Sequence, residues 1–76
     1  MVNRIDLTKR KDGYVISTVE PMFMAWYGKY ETAISLEGGF GWRIAEGYET
    51  EEEAIKGHEK YVAMSEKEIN KIEWIG

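Results

Sequence analysis

Two alternating segments meeting at Gly38-Gly39 constrain this chain more than any other feature. In Lys29 to Glu37, Tyr30, Thr32, Ile34 and Leu36 point one way, and Glu31, Ala33, Ser35 and Glu37 the other. After the two glycines the alternation resumes from Phe40 to Glu46, with Phe40, Trp42 and Ile44 on one face and Arg43 on the other. Gly-Gly supplies the positive-φ positions of a tight turn, so the pair reads as a β-hairpin. Thr50-Glu51-Glu52-Glu53 follows, a capping box in which Thr50 starts a helix and Glu53 reaches back to its amide. Three carboxylates also suit the positive end of the helix dipole. A hairpin followed by a capped helix predicts an α+β fold: a small antiparallel sheet of three to four strands packed against a C-terminal helix.

Upstream, Tyr14 to Glu20 is rich in β-branched and aromatic residues and reads as a strand that Pro21 ends or marks as an edge. Asp12-Gly13 marks a turn, so Arg4 to Leu7 is expected to pair with it as a further strand. In the helix, Ala54, Ile55, His58, Tyr61 and Val62 form the predicted inner face, and Lys56, Glu59 and Lys60 the outer. Ile55, His58, Val62, Ser65, Ile69 and Ile72 continue at heptad-like spacing, which predicts one long helix. A competing start signal, Ser65-Glu66-Lys67-Glu68, lies inside it. On the long-helix reading Ile69 and Ile72 are candidates for a homodimer seam. The apolar tail Glu73-Trp74-Ile75-Gly76 is expected to dock on something.

No linker, repeat or low-complexity tract divides the 76 residues, which are read as a single domain, 1–76. A core of this size is marginal, and the absence of cysteine removes disulfides and thiolate metal sites. Three Trp, five Tyr and two Phe supply the area instead. No segment approaches the roughly 18 apolar residues that span a bilayer. The charged N-terminal stretch lacks the apolar core of a signal peptide, so the expected compartment is the cytoplasm.

Chemistry is sparse. His58 is the only histidine, and Val62 stands where the zinc-protease helix motif needs its second one. No metal or other cofactor is expected. A serine relay would have to use His58 from a core-facing position, so the chain reads as non-enzymatic. Gly38-Gly39-Phe40-Gly41 lacks the Lys-Ser/Thr of a phosphate loop and lies between strands.

The net charge is −4, and residues 1–12 hold +2 of it, which leaves −6 on residues 13–76. A duplex-binding domain shows the opposite bias, so no duplex nucleic acid is expected as a partner. An acidic body instead suits a host protein with a basic surface, including a nucleic-acid-binding enzyme. Its candidate contacts are Glu51, Glu52, Glu59 and Glu66, with Met22, Phe23, Met24, Trp26 and Tyr27 as an apolar and aromatic segment of the kind enriched at interfaces. The same segment read structurally is a buried or edge strand.

Tyr30-Glu31-Thr32 and Tyr48-Glu49-Thr50-Glu51-Glu52-Glu53-Ala54-Ile55-Lys56-Gly57-His58-Glu59 resemble a pattern in small proteins encoded by phages and prophages. Gly57-His58-Glu59 is its most distinctive part. That group is mostly without assigned function, so no functional residue carries over. The resemblance implies a viral accessory protein that binds and inhibits or redirects a host protein, and counter-defence inhibitors such as anti-CRISPR proteins are one such class. Two alternatives stand beside it. One is an oligomer that sequesters a small nucleotide signal through Trp26, Tyr27 or Arg43. The other is a minor structural or assembly component of a virion.

Overall fold

The structure is a computed structural model that describes residues 3–21, 27–36 and 40–76. Four antiparallel strands run in sequence order across one sheet: β1 (Asn3–Lys9), β2 (Val15–Glu20), β3 (Tyr30–Leu36) and β4 (Phe40–Tyr48). Two helices follow, α1 (Glu51–Ala63) and α2 (Glu66–Ile69). The architecture is the expected α+β fold. The first hairpin turns where Arg10 donates its amide to the Tyr14 carbonyl at 2.8 Å and Gly13 takes φ 96°, a conformation glycine adopts freely. Gly38-Gly39 and the segment Met22 to Trp26 lie outside the described residues.

Strand alternation decides which residues meet the helix. Thr8↔Ile16, Thr18↔Thr32 and Tyr30↔Tyr48 are paired across the sheet, and Thr8, Thr18 and Thr32 belong to the hydrogen-bonded row beneath α1. Lys9↔Val15, Leu7↔Ser17 and Ser17↔Ala33 occupy the opposite face. Among the described residues, register shifts at Arg4/Asp6, opposite Thr32/Ala33 and between Ile34 and Leu36 break this alternation three times. The second shift brings Ala45 into the core with Tyr14, Ile16, Ile34, Tyr61 and Ile69. Trp42 stays 44% exposed, so its place in the alternation expected for β4 does not put it in the core.

The first capping box forms as expected. The Glu53 amide donates to Thr50 Oγ1 at 3.1 Å, and the Thr50 amide donates to Glu53 Oε1 at 3.2 Å. The inner face of α1 differs from expectation. Ala54, Gly57, His58 and Tyr61 are buried, whereas Ile55 is 45% exposed. A Cβ built on Gly57 would lie 2.1 Å from the Tyr48 hydroxyl oxygen and 2.3 Å from its Cζ. The Tyr48 ring occupies the space a side chain at 57 would need, and that contact sets the rotation of α1.

The single long helix is also corrected. Met64 leaves helical geometry with φ −67° and ψ 140°, and Ser65 caps α2 through its own reciprocal box with Glu68. Two starts satisfied locally replace one seam. The turn carries Ile69 into the protein's own core at 1% exposure, with Ile72 and Trp74 packed against it. Ile69 is therefore enclosed by its own chain instead of facing a second copy, and Ile72 is half-buried beside the same core. The tail docks on β4: the Ile75 amide donates to the Ile44 carbonyl, and the Ile44 amide donates to the Gly76 oxygen, both at 2.9 Å. Part of an edge strand is thereby covered.

Candidate functional site

A row of buried polar groups crosses the whole sheet beneath α1. His58 Nε2 lies 2.9 Å from Thr8 Oγ1, and Nδ1 lies 2.8 Å from Thr18 Oγ1. Thr18 Oγ1 meets Thr32 Oγ1 at 2.6 Å, and Thr32 meets the Tyr48 hydroxyl at 3.0 Å. Each strand contributes one hydroxyl, and the helix contributes the imidazole. The Asp6 carboxylate, 3.6 Å from Nε2, favours a proton on that nitrogen. Nδ1 then accepts from Thr18, which accepts from Thr32, which accepts from Tyr48. Every member is satisfied, which is the condition for such a network to support a core rather than weaken it.

Thr8 and Asp6 both approach Nε2, so Asp6 does not orient the imidazole toward Thr8 as a triad acid would, and Thr18, on the opposite nitrogen, is fully buried. Burial also raises the Tyr48 phenol well beyond its ordinary value, and its bond to Thr32 only partly offsets this, so the hydroxyl stays protonated. Among the described residues no group of three His, Asp or Glu side chains converges as a metal cluster.

Burial pushes the His58 imidazole below its ordinary value of 6.5, against the smaller pull of the Asp6 and Glu59 carboxylates. The unfolded chain therefore binds a proton near 6.5 that the folded protein takes up only at lower pH. Stability from His58 is complete above that value and is lost as pH falls from it to the folded pKa. Denaturation midpoints across this window should fall with acidification in the unmodified protein. In His58→Gln the imidazole's share of that slope should vanish, and an identical slope in both proteins would contradict the assignment.

The outer edge of the row opens into a groove between β1 and the first half of α1, with a volume of about 440 Å3. Ile5 and Ile55 give it apolar walls, and Asp6, Glu51 and Glu59 place three carboxylates around it, joined by the Arg4 guanidinium. His58, 3% exposed, closes its base. The bulge at Ile5 and the rotation of α1 create this arrangement, because they bring Ile5 and Ile55 to one opening.

Of the residues expected to bind a partner, Glu51 and Glu59 line the groove. Glu52 is exposed beside them and pairs with Lys56 at 3.5 Å. Glu66 is exposed on α2 and does not line it. Tyr27 is 37% exposed, while Met22, Phe23, Met24 and Trp26 lie outside the described residues. Arg43, expected to meet a nucleotide, lies 5.1 Å over the Trp74 ring. Its guanidinium face is occupied within the chain. Sequence reading missed Asp6, Ile5 and Arg4 because strand pairing, not local pattern, sets them against the helix.

No family model matches the chain, nor does any curated protein or solved structure. Among the described residues no helix is long and apolar enough to cross a membrane.

Proposed function

We propose that this chain is a non-enzymatic binding protein that docks on a basic surface of a host protein through the groove between β1 and α1. The observation that supports the reading most is the pairing of Ile5 and Ile55 with Asp6, Glu51 and Glu59 around one opening. A long cationic side chain meets both needs at once: its methylene stem lies on the isoleucines and its head pairs with the carboxylates. The acidic charge of residues 13–76 would speed encounter with such a partner. The resemblance to small phage and prophage proteins supplies the context, a viral accessory protein in the host cytoplasm that inhibits or redirects its target. A counter-defence inhibitor acting on a nucleic-acid-binding enzyme is the specific form proposed.

Capture from host lysate, followed by binding kinetics on the recovered protein, tests this reading. Glu51→Lys with Glu59→Lys should slow association and flatten its salt dependence, because rim charge acts on encounter. Ile55→Ala should instead speed dissociation. Glu66→Lys, outside the groove, should change neither by more than about twofold. A partner whose association and dissociation are unaffected by all the groove substitutions would overturn the assignment.

A further inference from the structure

The face of the sheet that α1 does not cover carries a second opening of about 410 Å3, of a different character. Leu7, Val15 and Trp42 line it together with Arg4, Lys9 and Arg10. Val15 is 8% exposed and belongs to the floor, whereas Trp42 is 44% exposed. Arg10 is engaged elsewhere: it pairs with Asp12 at 2.6 Å and donates to the Tyr61 carbonyl at 2.8 Å. The side chains of Lys9 and of Arg4, which also borders the groove against α1, make no hydrogen bond or ion pair among the described residues. Two uncommitted cations thus stand beside an accessible indole, on a chain whose remaining charge is acidic.

We infer that this opening is a binding site for a free nucleoside phosphate, its base stacked on Trp42 and its phosphates between Arg4 and Lys9. Three features select this occupant. The volume falls within the range of about 300–1,000 Å3 usual for small-molecule sites. Stacking on an aromatic with phosphate paired to Arg or Lys is how proteins hold single nucleotides without reading base edges. The −6 charge on residues 13–76 would repel a longer strand extending beyond the patch, which favours a free nucleotide over a polynucleotide. A second copy of the chain fits less well. An isologous contact would face Arg4 and Lys9 against themselves, and a contact with the acidic helix of another copy is heterologous and need not close.

Calorimetric titration of the full chain at low salt tests the site with four probes: ATP, inorganic tripolyphosphate, a short oligothymidylate and hexaglutamate. ATP should bind saturably, and tripolyphosphate about tenfold more weakly for want of a base to stack. Trp42→Ala should reduce ATP affinity to that of tripolyphosphate, while Trp42→Phe should retain most of it. Lys9→Gln should weaken both probes. Since Trp42→Phe and Lys9→Gln keep the fold's apolar contacts, they carry the test if Trp42→Ala fails to fold. Equal affinity for ATP and tripolyphosphate would overturn the site, as would a lack of effect from Lys9→Gln. Tighter binding of oligothymidylate than of ATP would make it a strand-binding surface. Hexaglutamate binding as tightly as ATP would make it a surface for acidic peptides, and a dimer lost in Trp42→Ala would make it a self-association face. Any of these three results rejects the proposal.

Discussion

Ile69→Glu should destabilise the protein by roughly 3–5 kcal/mol, a large share of what holds it folded. Ile69 is 1% exposed and packs among Tyr14, Ile16, Ile34, Ala45 and Tyr61. The substitution removes that contact and asks a carboxyl group to enter the same site. An unpaired carboxylate there is costly enough that the group would be protonated, or the C-terminal segment would leave the sheet. A chain of 76 residues has only roughly 4–11 kcal/mol of total stability to lose. Urea denaturation with Ile69→Val as control gives the comparison, the control costing about 1 kcal/mol. A seam between helices of two copies makes the opposite forecast: a stable monomer with an unchanged denaturation midpoint. That result would contradict the placement of Ile69.

Gly57→Ala should also destabilise, against the ordinary rule for helices. In an exposed helix interior the exchange stabilises by about 1 kcal/mol, because glycine loses more backbone freedom. Here the new methyl would meet Tyr48 Cζ at 2.3 Å and Cε1 at 2.4 Å. These are ring atoms of a side chain 7% exposed and tied to Thr32, so the ring cannot simply swing away. Overpacking of this kind costs about 1–3 kcal/mol and occasionally more. Tyr48→Phe should give little relief, since the clash includes the ring itself. Tyr48→Ala should remove most of the penalty, and a double-mutant cycle would show it as a coupling energy. Additive effects of Gly57→Ala and Tyr48→Ala would separate the two residues. The same contact gives the Gly57-His58 pair a physical meaning. Glycine admits the Tyr48 ring beneath the helix, and the next residue joins the hydrogen-bonded row that ends on that ring's hydroxyl.

Much of the architecture was legible because it rests on short-range rules. Alternation placed β3 and β4, Asp12-Gly13 placed the first turn, and Thr50 with Glu53 placed the start of α1. Each signal acts within a few residues, so one chain is enough to read it. The Ser65–Glu68 box was equally visible, but the apolar spacing through Ile69 and Ile72 outweighed it. Spacing shows that residues can share a helical face and not that the helix is continuous. Of the candidate site, the sequence identified Glu51 and Glu59 as exposed acids on α1, and nothing of what stands opposite them.

That opposite wall was decided by tertiary structure. A bulge between Arg4 and Asp6 is a choice of pairing register, settled by β2 and not by β1 alone. The exposure of Ile55 follows from Tyr48, which takes the place beneath Gly57 and turns the helix away from its most apolar face. The role of His58 depends on hydroxyls from all four strands, up to 50 residues away in the chain. Periodicity, turns and caps are local energies that the sequence carries by itself. Register, helix rotation and the partners of a buried polar group are contests between distant segments, and only the packed fold resolves them.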